Sequence, residues 1–232
     1  MSNSDSIHSG HRERLRQRFL TEGLDSFHEI NALELLLFYC VPRKDTNDLA
    51  HRLLDHFGSY CNVLNAPYSE LKKVDGVSDS IATYLKLQAE AVRYYLVNRQ
   101  SRGVVVKTTA DYGNLLCSYF TGRCNETVFL MCLDAKCKMI CCREISEGSV
   151  NSAGVSIRKV VDVAISSNAT SVVLAHNHPS GVAIPSSDDV KTTMAVSDAL
   201  AAVDVILVDH IVVCDGDFTS MAQSGLYVPK RR

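Results

Sequence analysis

The strongest constraint on this chain is a change of hydrophobic period near its middle. From His11 to about Arg102, apolar residues recur at three- and four-residue spacing, through Leu15, Phe19 and Leu20, Ala32 to Tyr39, Leu49 to Phe57, and Ser80 to Val97. That is the period of amphipathic helices. Pro42, Gly58 and Pro67 fall between the runs as breakers, and Thr46 and Ser69 precede helical runs in N-cap-like positions. After the polar stretch Gln100-Ser101-Arg102-Gly103 the chain turns to short apolar runs: Val104 to Val106, Val128 to Leu133, Met139 to Cys142, Ser171 to Ala175, Val205 to Leu207 and Ile211 to Cys214. These read as strands, with helices at about 155–166 and 187–203 between them. The expected fold class is α+β. Residues 1–102 form a small all-helical domain, and residues 103–232 a mixed α/β domain with a central sheet flanked by helices.

Composition limits the function classes. With 46% hydrophobic residues among 232, the chain buries a core without disulfide staples. Its nine cysteines are an odd number with no C-x-x-C pair, which speaks against a secreted disulfide framework. Cys132, Cys137, Cys141 and Cys142 lie in an apolar, strand-like stretch and are expected as small buried hydrophobes. Adjacent thiols on a strand point to opposite faces and do not chelate one ion together. The polar, basic start has no apolar leader core, and no apolar run approaches a membrane span, so a cytoplasmic protein with no membrane partner is expected. Net charge is -2, and up to Arg102 basic and acidic residues balance at 13 each. Any DNA contact must therefore be local.

One local candidate is Leu71 to Ala82, where a tight turn at Gly76 joins two helices beside Lys72 and Lys73. A glycine turn lets backbone N–H groups and a helix N-terminus approach a phosphate. The segment resembles a helix-hairpin-helix, with Ser78 in place of that motif's second glycine. A plain helical corner with a solvated lysine pair is the competing reading. Arg12, Arg14, Arg16 and Arg18 form a second basic cluster, for which a solvated helix face is the simpler account.

The chemistry concentrates after the apolar run Val172 to Ala175. His176 and His178 are spaced by one residue on a strand, so both imidazoles project from one face, and Pro179 then stops the strand. Across the following loop Ser186 is placed to cap the next helix, which puts Asp189 in its first turn, free to face back. Two imidazoles and a carboxylate converging at a strand end make a three-ligand catalytic zinc set, with a fourth position left for water. The bland alternative is a capping-box acid beside two interior histidines.

His-x-His, seven residues, Ser, two residues, Asp is the metal signature of the JAMM (MPN/JAB) metallopeptidase-like fold. The fuller His-Asn-His-Pro-Ser-Gly pattern from His176 resembles the RadC family, as do Gly10 to Leu15, Glu34 to Phe38, Pro42 to Asn47 and Asp209-His210-Ile211. The resemblance implies a helix-hairpin-helix-like region followed by a JAMM domain with one zinc per chain, held by His176, His178 and Asp189. It implies a metallo-hydrolase of peptide or isopeptide bonds, with a protein or peptide as substrate. The family's glutamate base lies upstream at the start of a strand, where Glu126 stands, and Glu144 is the competing acid. Ser186 matches the serine that supports the developing oxyanion. The family name implies the alternative, a DNA-associated repair or recombination factor whose JAMM domain is a binding scaffold. A serine-hydrolase reading built on Ser180 or Ser186 lacks a G-x-S-x-G elbow and leaves one histidine unexplained. Asp209 and His210 read either as a buttress to the site or as a structural pair at a strand edge.

Overall fold

The computed structural model describes residues 3–42, 45–99, 103–148, 155–179 and 181–230. The chain divides into two compact units, Met1–Ala91 and Val92–Arg232. Gln100, Ser101 and Arg102, on which the sequence-based boundary rests, lie outside the described residues, as do Arg43 and Lys44.

The first unit is built from α1 (Asn3–Glu22), α2 (Glu29–Cys40), α3 (Asn47–Phe57), α4 (Tyr60–Asn65), α5 (Tyr68–Leu71) and the start of α6 (Asp79–Arg99). Leu33 and Leu37, Leu49 and Leu53, and Ile81 and Leu85, each pair four residues apart on its helix, join Leu71 in its core. The arginine cluster of α1 is not a free basic face. Arg12 stacks over Phe38 at 4.7 Å and donates to the Val41 and Pro42 carbonyls, while Arg18 stacks over Phe27 at 4.7 Å. Of the two capping expectations, the position of Thr46 holds and that of Ser69 needs correction. Thr46 occupies the N-cap of α3 without a side-chain cap bond, and Ser69 lies inside α5, whose N-cap position is taken by Pro67.

In the second unit a five-stranded sheet has the order β2-β1-β3-β4-β5. The strands are β1 (Glu126–Leu133), β2 (Met139–Gly148), β3 (Ser171–Asn177), β4 (Ile206–Cys214) and β5 (Asp217–Ser220). Only β3 and β4 pair in parallel, and the crossover between them is α9 (Ser187–Ala201). β1 and β3 are apolar almost throughout because the sheet is covered on both sides. Val128, Leu130, Val172 and Leu174 pack on one side with α9 and α8 (Ile157–Ser166). Phe129, Met131, Val173 and Ala175 pack on the other with α7 (Thr109–Phe120).

Four sequence expectations differ from this structure. The apolar periods do not predict α7, although Thr108 and Asp111 form a complete capping box at its start. Nor do they predict β5, although Asp215-Gly216, both at positive φ, makes the two-residue turn of a hairpin with β4. Val104 to Val106 contributes only an isolated bridge, Val105 with Lys138. Finally, Ile206–Leu207 and Ile211–Cys214 belong to one strand, and Val205 lies just before it. The polar pair between them is buried because each residue is partnered: Asp209 accepts from Tyr112, Ser220 and two backbone N–H groups at 2.5–3.0 Å.

Candidate metal centre

The sheet register decides which side chains meet. Val128 of β1 lies directly opposite His176 of β3, so the two share a face. Glu126, two residues before Val128, and His178, two residues after His176, fall on that face by the period of two. Ligand atoms of Glu126, His176 and His178 accordingly lie within 4.8 Å of one another, a cluster that could hold a metal ion. The two Nε2 atoms are 3.0 Å apart. His178 Nδ1 is 3.0 Å from the Val182 carbonyl, which can only accept. The ring proton therefore sits on Nδ1, and the His178 Nε2 lone pair faces the cluster.

Asp189 meets both expectations at once. Its Oδ2 accepts the Ser186 N–H at 2.7 Å and the Ser186 hydroxyl at 2.6 Å, and its own N–H donates to that hydroxyl at 3.1 Å, a full capping box. The other oxygen, Oδ1, is 3.2 Å from His176 Nε2, and Oδ2 is 3.7 Å from His178 Nε2. A carboxylate has lone pairs enough for both tasks. Burial alone would raise the Asp189 carboxyl; the hydrogen bond and charge of His176, with the Ser186 bonds, outweigh it and hold the group well below the ordinary carboxylate range. Ser186 is exposed and gives its hydroxyl proton to Asp189. Ser180 lies outside the described residues.

Glu144 is placed elsewhere. It pairs with Phe129, on the opposite sheet face from His176, and its carboxylate takes a 2.8 Å bond from Arg123. The sequence reading missed Asn177, the residue between the two histidines. It points to the opposite face of the sheet, where its Oδ1 accepts the Thr127 N–H at 2.8 Å and its Nδ2 donates to the Asn125 carbonyl at 3.1 Å and the Arg123 carbonyl at 3.4 Å. These bonds grip the backbone on both sides of Glu126. The signal was present: an amide in a doubly covered strand must find partners. His210 is also buried on the site face, its Nε2 2.8 Å from His176 Nδ1. Burial, then His176, pushes its pKa well below the usual imidazole range against the pull of Asp189.

Away from this cluster, Gly76 has φ +88, and its turn carries the 3.1 Å bond from Arg52 Nε to the Asp75 carbonyl. Lys72 pairs with Asp79 at 2.9 Å and Lys73 with Glu70 at 2.7 Å. All nine cysteines are free thiols. Cys132 is buried as expected, its thiol pushed up to about 12 mainly by burial, but Cys137 is exposed. Its φ of 58 belongs to the turn between β1 and β2, where Asp134 Oδ1 accepts the Lys136 and Lys138 N–H groups.

Residues 106–226 match the family model described as the RadC-like JAB domain. The UPF0758 protein of Fusobacterium nucleatum is 33% identical over 230 residues, covering 96% of this chain and 99% of its own. That of Ruegeria pomeroyi is 36% identical over 206 residues, 88% of this chain and 91% of its own. A third, from Vibrio atlanticus, is 34% identical over 212 residues, 90% and 94% respectively.

Proposed function

The chain belongs to the family with the RadC-like JAB domain, and from that membership and the geometry of its centre we propose that it is a zinc-dependent hydrolase of peptide or isopeptide bonds. The supporting observation is the convergence of His176 Nε2, His178 Nε2 and Asp189 Oδ1 at one strand end, with Glu126 on the same face. Imidazole nitrogens and a carboxylate oxygen are the donor set of catalytic zinc sites. When bound, zinc supplies Lewis acidity, yielding a nucleophile from water near neutral pH and polarising the scissile carbonyl.

The chain's own residues supply the rest. Glu126 is the general base, taking a proton from the attacking water and passing it to the leaving amine. Its half-buried place, outside the bonds that occupy Asp189, suits a group that must change protonation during turnover. Ser186 would have to turn its hydroxyl away from Asp189 to support an oxyanion, so its first task here is to hold that carboxylate. The catalytic domain is taken as residues 103–232, and the substrate class as proteins or peptides. The alternative of a DNA-directed scaffold gains nothing from Lys72 and Lys73, since each amine has an acidic partner.

The test is hydrolysis of a panel of peptides and lysine-linked isopeptides by the zinc-loaded protein and its Glu126→Gln variant. Cleavage by wild type that falls by at least about 100-fold in the variant, at equal zinc content, is expected for loss of a general base. A variant as active as wild type would overturn the role of Glu126, and a zinc-loaded wild type inert on every amide would overturn the proposed reaction.

A further inference from the structure

A buried chain of polar groups runs behind His176. Thr193, one helical turn after Asp189 in α9 and fully buried, has its Oγ1 2.6 Å from the Asp189 main-chain carbonyl and 2.6 Å from His210 Nδ1. His210 Nε2 in turn lies 2.8 Å from His176 Nδ1. Each of the three contacts is short enough to require one proton. A neutral imidazole has one N–H and one acceptor nitrogen, and a hydroxyl has one proton, so the order along the chain is set by whichever end is fixed.

The Asp189 carbonyl fixes it, because it can only accept. The Thr193 proton goes there, and Thr193 Oγ1 must then accept from His210 Nδ1–H. His210 Nε2 is left as an acceptor for His176 Nδ1–H, so Nε2, which faces His178 and Asp189, is the His176 nitrogen left to take a metal. The opposite order would strip His176 Nδ1 of its proton and fix the ring's only proton on Nε2, the nitrogen that faces the other ligands. It would also leave Thr193 Oγ1 and a carbonyl oxygen 2.6 Å apart with nothing between them. Resting on the zinc reading above, we propose that Thr193 and His210 are positioning residues that hold the His176 ring proton on Nδ1 before metal arrives, and that the relay is anchored on the backbone of another ligand, Asp189. Histidine ligands are commonly oriented by such outer partners, whose loss costs metal affinity. In this relay the partner is itself a histidine, and its tautomer is set by a hydroxyl bonded back to its own helix.

Two measurements on the full chain test this. In the metal-free protein, long-range proton–nitrogen correlation spectra should show His176 and His210 both protonated at Nδ1. In a chelator competition with zinc alone as probe, Thr193→Val, which keeps the shape and removes the hydroxyl, should weaken binding by about 10- to 100-fold. Thr193→Ser, which keeps the hydroxyl, should restore most of that loss, and a purely packing role for Thr193 would predict the reverse ranking. A His176 without a proton on Nδ1, or a Thr193→Val protein that binds zinc as wild type does, would overturn the relay. A wild type that binds no zinc would sink the hydrolase reading instead, and the ring tautomers would still decide this proposal.

Discussion

The strand end at His176 and the hairpin at Gly76 both looked chemically promising as sequence, and the structure treats them differently. At the hairpin each positive charge is answered locally: Lys72 by Asp79, whose carboxyl it holds below the ordinary range by its hydrogen bond, and Lys73 by Glu70. At the strand end the local bonds are spent on the back of each group. His178 uses Nδ1 on Val182 and Asp189 uses Oδ2 on Ser186, so that His178 Nε2 and Asp189 Oδ1 face inward. The contrast teaches that density of charge or of histidines is a weaker guide than unspent bonding capacity aimed at one point. At the hairpin the charges face only one another, whereas at the strand end each group is also held from behind, which aims His176 Nε2, His178 Nε2 and Asp189 Oδ1 at one point.

Several substitutions would break or sharpen this contrast. Asp189→Ala has the largest expected effect, because it removes a ligand and half of a capping box together. Zinc affinity should fall by more than about 100-fold, beyond the usual loss from outer-shell changes, with about 0.5 kcal/mol of stability lost through the helix end. Isothermal titration and urea denaturation read the two separately, and an unchanged affinity would remove Asp189 from the centre. Next comes Asn177→Ala. It leaves the buried Thr127 N–H without its acceptor, while the Asn125 carbonyl keeps the Thr127 hydroxyl, so stability should drop by about 1–3 kcal/mol, the cost of an unpaired buried group. The imidazoles are on the other face, so zinc should still bind, while hydrogen exchange at the Thr127 amide should accelerate. A Thr127 amide as protected as in wild type would show that Asn177 does not hold the strand start. The smallest effect belongs to the Lys72→Ala/Lys73→Ala double variant. Exposed pairs contribute little, and its affinity for single-stranded DNA should equal that of wild type at every salt concentration. A weaker affinity with a shallower salt dependence would make the hairpin a phosphate-binding face after all.

Much of the architecture was legible because it follows from period. The helical and strand-like halves, the shared face of His176 and His178, and the place of Asp189 in the first turn of α9 all rest on spacings of two or of three to four. What was illegible depended on partners remote in sequence. Asp209 and His210 interrupt an apolar run, and partners such as Tyr112, Ser220, Thr193 and His176 make their burial in one continuous strand possible. The opposite faces taken by Glu126 and Glu144 follow from register across three strands, including a bulge in the β1–β2 pairing, which no local pattern encodes. α7 and β5 are a different case: Thr108-x-x-Asp111 and Asp215-Gly216 carried their signals in plain view.

The central claim is that lone pairs of His176, His178 and Asp189 are held ready for one zinc ion. Elemental analysis of the protein purified without chelator, beside His178→Ala, tests it most directly. The account predicts one zinc per wild-type chain and a nearly metal-free variant of unchanged fold by circular dichroism. A wild type without zinc after reconstitution, or a His178→Ala protein at full occupancy, would contradict it.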